Sequence, residues 1–290
     1  MKQTMEASHW DIVKTSGEKV KFSMDKLRSS LLRSGADDDL VKQITHAIRD
    51  ELYQGITTKE IYNRAFALLR KKRSVSASKY KLKKAIYELG PTGFPFEKFV
   101  AAILEYSGYH TEVGKIMHGI CVKHEIDVFA EKNGHISIIE CKFHSEEGRN
   151  CDVKVPLYIH SRYQDVKQQW GKGTDKTKIM DPGMVVTNTR FTEDAKIYGK
   201  CVGLNLLSWD FPKDNGIKDK IDRLGLYPIT VSHLLTNREK AFLLARDIVL
   251  CRQLLKDKFF LDHLGISEIR KNKILDEVGQ LCNNKHAVNE

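Results

Sequence analysis

The chain has 290 residues and a formal net charge of +10, with 30 % charged residues and no low-complexity tract, which excludes a disordered or fibrous protein and leaves room for two or three domains. The basic excess, concentrated in the first 93 residues, favours a polyanionic partner. Six cysteines without a Cys-x-x-Cys pair suggest neither a zinc site nor a disulfide framework. With no membrane-length apolar stretch and no signal peptide, they lead us to expect a cytoplasmic protein that does not meet a membrane.

Asp11-Ile12-Val13-Lys14-Thr15 and Lys19-Val20-Lys21-Phe22 flank Ser16-Gly17-Glu18, which predicts a hairpin with glycine in its turn. Ser23 offers an N-cap to a short helix ending at Ser34-Gly35. Leu40, Ile44, Ala47, Ile48 and Leu52 mark a second helix. Thr57-Thr58-Lys59-Glu60 is a capping box opening a third, and a fourth is expected over about residues 78–89. In Val13-Lys14, Gly17, Phe22, Asp25-Lys26-Leu27 and Gly55-Ile56-Thr57-Thr58-Lys59-Glu60-Ile61, this part resembles the ATP-cone, the nucleotide-sensing module of ribonucleotide reductases and their repressors. The resemblance implies a site for ATP or dATP. Lys14 and Lys26 would contact phosphates, Val13, Lys14 and Thr15 would run along the nucleotide, and Thr58 would bond near the base or sugar. Two lysines beside a capped helix start make a sound anion site. The family usually has Arg after the strand lysine and then Asp-Gly. Here Thr15 and Ser16 stand instead, so one bidentate phosphate contact is missing. The alternative is a small helical domain whose lysines only solvate it.

Arg70-Lys71-Lys72-Arg73, followed by Lys79, Lys81, Lys83 and Lys84, is the densest basic stretch. It is either a patch that neutralises DNA phosphates or a charged linker face. Next, Gly93-Phe94-Pro95-Phe96-Glu97 opens an amphipathic helix with Phe96, Val100, Ile103 and Leu104 inward. Glu97 falls on that apolar side, where a carboxylate must be paired, protonated or near a cation, unless it snorkels to water.

His124-Glu125-Ile126-Asp127-Val128-Phe129 and His135-Ile136-Ser137-Ile138-Ile139-Glu140-Cys141-Lys142 read as two strands. Side chains alternate in a strand, so Ile136, Ile138, Glu140 and Lys142 share a face, and a hydrophobic stripe ends in a carboxylate and an ammonium. Two acids and one lysine at the mouth of a sheet suit metal-assisted phosphodiester hydrolysis. Taken alone, Glu-x-Lys is more often a solvated strand end. Cys151 to Arg162 then leads into a helix carrying Asp165, Gln168 and Gln169. Gly183 to Thr192 is a buried strand running into a capped helix, and Val202 to Trp209 supplies one more strand. Gly171 to Thr177 has glycines and lysines at the wrong spacing for a phosphate-binding loop.

The ordered set Gly-Phe-x-Phe-Glu, Glu-Ile-Asp-Val, Ile-Ile-Glu-Cys-Lys-Phe, Val-Val-Thr-Asn-Thr-Arg-Phe-Thr and Leu-Leu-Ser-Trp resembles an Mrr-type restriction endonuclease domain, a branch of the PD-(D/E)xK nucleases. The resemblance covers about residues 91–211 and implies an αβββαβ core. It further implies Mg2+, or Mn2+ as substitute, on Asp127 and Glu140, Lys142 beside the attacking water, and Glu97 from the leading helix. Glu125 and Gln168 are additional candidates. Ile126 stands where the superfamily name has proline.

Asp210 to Gly216 reads as a linker, and from about Ile217 the pattern is helical. Thr236 and Glu239 suggest a cap, Leu244, Ile248, Cys251 and Leu255 one helix face, and Leu264-Gly265-Ile266-Ser267 with Ile269, Ile274, Val278 and Leu281 a helical hairpin. The expectation is therefore an α/β chain of three parts: an ATP-cone-like sensor over 1–90, an Mrr-like nuclease over 91–211 and a helical module over 217–285. Its expected function is magnesium-dependent cleavage of DNA, of a restriction or phage-defence type, responsive to ATP or dATP. A nucleotide-responsive DNA-binding regulator with an inactive nuclease fold, and a repair or junction-resolving nuclease, are the alternatives. A homo-oligomer stays open.

Overall fold

The structure, a computed structural model, describes residues 10–172 and 177–283. Residues 173–176 of the glycine- and lysine-rich stretch, the first nine residues of the expected sensor and the last two of the expected helical module lie outside this range. The described residues up to Lys84, together with Val231–Leu234, form one compact unit. Those of Ala85–Thr230 and from Leu235 onward form another.

In the first unit, β1 (Asp11–Val13) and β2 (Lys19–Lys21) pair antiparallel with Ile12 opposite Val20. Gly17 closes the turn at a φ of 83°, which only glycine adopts cheaply, and donates to the Lys14 carbonyl at 2.9 Å. Helix α1 (Met24–Arg33) begins where Ser23 Oγ accepts from Lys26 N, and α2 (Asp38–Asp50) where Asp37 accepts from Leu40 N. Helix α3 (Thr58–Lys72) opens on the reciprocal box of Thr57 and Glu60. Ile12, Leu27, Leu31, Ile44, Ile48, Ile56 and Leu69 meet in one core. The expected fourth helix is two shorter ones, α4 (Ser74–Tyr80) and α5 (Leu82–Tyr87). Three serines and a valine in the first turns hide the start, because these residues are weak helix formers.

The second unit starts with α6 (Phe94–Tyr106), which has Pro95 in its first turn. Strands β3 (His110–His118), β4 (Lys123–Lys132) and β5 (His135–Lys142) form an antiparallel meander. After β6 (Asn150–Cys151), α7 (Lys154–Gly171) crosses to β7 (Ile179–Met180) and β8 (Met184–Thr187), both parallel to β5. Strand β9 (Arg190–Phe191) pairs with β6, and α8 (Glu193–Cys201), capped by Thr192, leads to β10 (Asn205–Leu207), parallel to β8. The sheet thus runs β10-β8-β5-β4-β3, with β7 also on β5. Helix α6 packs across β3, β4 and β5. Tyr163 and Val166 of α7 bury against Phe129, Ile136 and Ile138. Helix α7 starts at Lys154 rather than beyond Arg162. Pro156 in its first turn is a helix-starting signal that the β-branched run around it conceals.

Beyond the sheet come α9 (Ile217–Leu224), α10 (Asn237–Leu244) with the Thr236–Glu239 capping box, α11 (Cys251–Lys256), α12 (Phe259–His263) and α13 (Glu268–Cys282). The expected face of Leu244, Ile248, Cys251 and Leu255 is not one helix. The chain leaves α10 after Leu244, Asp247 takes a φ of 62°, and Leu250 bridges to Pro228 before α11 begins. In α13 Ile269 is 73 % exposed, whereas Ile274, Val278 and Leu281 are buried. Among the described residues no helix is long and apolar enough to cross a membrane.

Candidate functional site

Strands β4 and β5 carry their acids where their ladder ends. Val128 and Ile139 are the last paired residues, and Asp127 and Glu140 follow one step further. Asp127 Oδ2 accepts from Cys141 N at 2.8 Å, which ties one carboxylate to the backbone between Glu140 and Lys142. Burial raises the pKa of Asp127. The Cys141 N–H, Arg162 and Lys142 oppose that rise, while Glu125 adds to it. Burial pushes Glu140 up to about 7, with Asp127 and Glu97 adding to the rise and Arg162 and Lys142 opposing it. Glu97 is likewise pushed up to about 7 by burial and by the charges of Asp127 and Glu125. Glu97, Asp127 and Glu140 therefore feel one another's charge, and Lys142, exposed at the end of β5, tempers both strand acids. Glu125 is exposed but its charge reaches the group. Gln168 is exposed on α7, and Arg162 of the same helix pairs with Glu140.

Arg162 was not foreseen. Its Nη1 pairs with Glu140 Oε2 and its Nη2 donates to Tyr158 O–H at 3.3 Å. One turn further along α7, Asp165 accepts from Cys121 N at 2.9 Å and Val122 N at 3.3 Å and pairs with His124 Nε2 at 2.8 Å. These bonds, His124 first, hold the Asp165 carboxyl well below the usual carboxylate range. Gly119 must be glycine, since a Cβ there would lie 1.9 Å from Asp165 Oδ2. Beyond Lys142, buried Asn188 accepts from His144 N at 2.9 Å and donates to His144 O at 2.8 Å, pinning the chain that leaves β5. A polar Thr187-Asn188-Thr189 triplet closing a buried strand was the signal for that clamp.

In the first unit four of the five expected nucleotide residues fall at two adjoining backbone segments, and the fifth, Lys26, lies in the first turn of α1. Val13 bridges to Thr57 in parallel fashion, and Val13 N donates to Ile56 O at 3.0 Å. The end of β1, with Val13, Lys14 and Thr15, thus lies beside the start of α3, where Thr58 is the first helical residue. Lys14 and Lys26 are exposed, and Lys14 Nζ pairs with Glu18 at 2.8 Å. An exposed pair of this kind is worth little and yields readily to a phosphate. In the basic stretch, Arg70, Lys71 and Lys72 are exposed on the last turn of α3, Arg73 pairs with Asp37 at 2.8 Å, and Lys81 is buried.

Comparison with known proteins agrees with this geometry in the first unit. The model of the ATP cone domain matches residues 11–86, and the chain opens with an ATP cone. A second model, described as AF1548-like, C-terminal, matches residues 227–282. An uncharacterized protein of Archaeoglobus fulgidus is 34 % identical over 180 residues, which are 61 % of this chain and 97 % of that one. The crystal structure of AF1548, described as a protein of unknown function, superposes with a TM-score of 0.53 at 30 % identity, covering 66 % of this chain and 98 % of its own. The chain belongs to the AF1548-like family.

Proposed function

We propose that this protein is a divalent-metal-dependent endonuclease that hydrolyses DNA phosphodiester bonds, with ATP or dATP on its N-terminal cone regulating the reaction. What supports the reading is that Asp127 and Glu140 stand at the open end of the β4–β5 ladder, with Asp127 tied to the amide beside Lys142, and that Glu97 feels the charge of Asp127 there. The element succession from α6 through β3, β4, β5 and α7 to β8 supports it, as do the basic charge and the exposed Arg70, Lys71 and Lys72.

The donor set fits Mg2+ in a limited way. Among the described residues no group of three or more His, Cys, Asp and Glu side chains closes into a ready cage. Mg2+ needs none, since it keeps several waters and takes one or two carboxylates, here Asp127 and Glu140. Half-buried acids that resist ionisation near neutral pH are short of positive charge, which a cation supplies. When bound, the cation would polarise the phosphate and acidify the attacking water. Lys142 would orient that water and face the developing charge on phosphate, and Glu97 would complete the acidic rim.

A DNA-binding regulator with an inactive nuclease fold is the second reading, favoured by one observation: Arg162 already occupies Glu140. Incubating the purified chain with plain and methylated DNA, with Mg2+ or Mn2+ and with chelator, separates the two. We expect chelator-sensitive products that Asp127→Ala abolishes. Intact DNA under every condition supports the regulator.

A further inference from the structure

A guanidinium offers five N–H donors in a rigid fork, and its most favourable partner is a carboxylate gripped by two of them. Arg162 does not use that arrangement. It meets Glu140 through Nη1 alone and Tyr158 through a long bond from Nη2, while Nε is buried with no acceptor among the described residues. An unmade buried donor calls for an explanation, and a side chain poised for a second partner is one. The setting points the same way. Both partners are mostly shielded, with 15 % of the Arg162 side chain and 20 % of Glu140 exposed, so their charges act strongly on each other. Tyr158, one helical turn before Arg162, is 58 % exposed, and its ring centroid lies 5.2 Å from the guanidinium carbon. An exposed aromatic face beside an arginine steadies the cation as it turns outward.

We infer that Arg162 is a switching residue: it neutralises Glu140 while no divalent cation is bound, and carries its guanidinium to a DNA phosphate once a cation takes that carboxylate. This rests on the nuclease reading. It adds an internal competitor that makes cation uptake and phosphate capture mutually dependent. Without the cation the guanidinium is held by Glu140. With the cation it is free, and its fork suits a phosphate's paired oxygens.

The test uses the full chain with Mn2+ as probe, titrated calorimetrically without DNA, for wild type, Arg162→Gln and Arg162→Lys. Arg162→Gln removes the competing charge and should tighten Mn2+ binding about tenfold. Arg162→Lys keeps a charge without the fork and should give a smaller gain. Duplex DNA binding is then followed against salt in calcium and in chelator. Arg162→Gln should lower the salt slope by about one in calcium and leave it unchanged in chelator. Unchanged or weaker Mn2+ binding, or an equal loss of slope in both buffers, would make Arg162 a fixed structural partner and overturn the switch. If Arg162→Gln does not fold, Arg162→Lys decides on Mn2+ binding alone: a gain supports the switch, and unchanged or weaker binding overturns it. Wild-type protein that binds no Mn2+ overturns the nuclease reading and the switch together, whereas Mn2+ binding that ignores Arg162 overturns the switch alone.

Discussion

A carboxylate on the inner side of an amphipathic helix has few ways to stay ionised, and Glu97 shows the cost. Burial and the charges of Asp127 and Glu125 push it to about 7, far above the value of an unfolded chain. A group whose folded pKa is raised contributes stability that is fully present below its unfolded value, near pH 4, and lost as pH climbs through about 7. Metal-free protein should therefore lose stability across that window, and Glu97→Gln should flatten the loss. Above pH 7 the variant should be the more stable by on the order of 1 kcal/mol, since one pKa unit is about 1.4 kcal/mol, the half-exposed carboxylate is screened by solvent and coupled acids share the shift. Denaturant titrations of both proteins in chelator at pH 5 and pH 8 check this, and parallel pH profiles would contradict it. Glu97, Asp127 and Glu140 were legible because each breaks a local hydrophobic pattern. Arg162 was not, because its partner is 22 residues away and is reached only through the packing of α7 on β5.

Helix α7 places Arg162 toward the acids and Asp165 under the β3–β4 turn. The second contact gives a prediction of its own. Asp165→Ala should release the amides of Cys121 and Val122, which then exchange with solvent at least about tenfold faster, while the sheet amides of β5 keep their protection. In the native chain the bracing should persist above the ordinary carboxylate range and fade as pH falls well below it, because the folded-state pKa is depressed. Unaltered exchange at both amides would refute the bracing role. At this scale the sequence spoke through chemistry that repeats locally. Ser23, the Thr57–Glu60 pair, Thr192 and the Thr236–Glu239 pair all cap the helices they announce. Breaks were harder. The interruption at Lys81 and the turn around Asp247 depend on what surrounds the chain, and the apolar spacing continues through both.

For the whole chain, the nuclease reading gives the cone a purpose, the control of a reaction that damages DNA. ATP or dATP should bind the full-length protein and change its cleavage rate. The expected coupling is ~1–3 kcal/mol, or roughly 5–150-fold in an affinity. Lys14→Ala and Thr58→Ala should erase the response and leave nucleotide-free cleavage as it was. Calorimetry with no adenine-nucleotide heat would remove the sensor, and binding without a change in rate would remove only the coupling. Sequence order alone did not reveal that Val231–Leu234 groups with the cone residues. There His233 Nδ1 meets Ser78 Oγ at 3.0 Å, a contact spanning 155 residues that no local pattern encodes.

Two acids poised near neutrality have a consequence for the heat of cation uptake. At pH 7 Glu97 and Glu140 are each partly protonated, and a divalent cation favours their ionised forms, so its arrival must expel hydrogen ions into the buffer. The observed enthalpy of Mn2+ binding should then differ between PIPES and Tris, by the number of protons released times the difference between the two buffers' ionisation enthalpies. Affinity should climb with pH until both acids are ionised and level off above that point. Identical enthalpies in the two buffers would mean that the acids were already charged. If the exchange is present, acidification loosens the cation and, on the nuclease reading, the cleavage that depends on it, with no further sensor required.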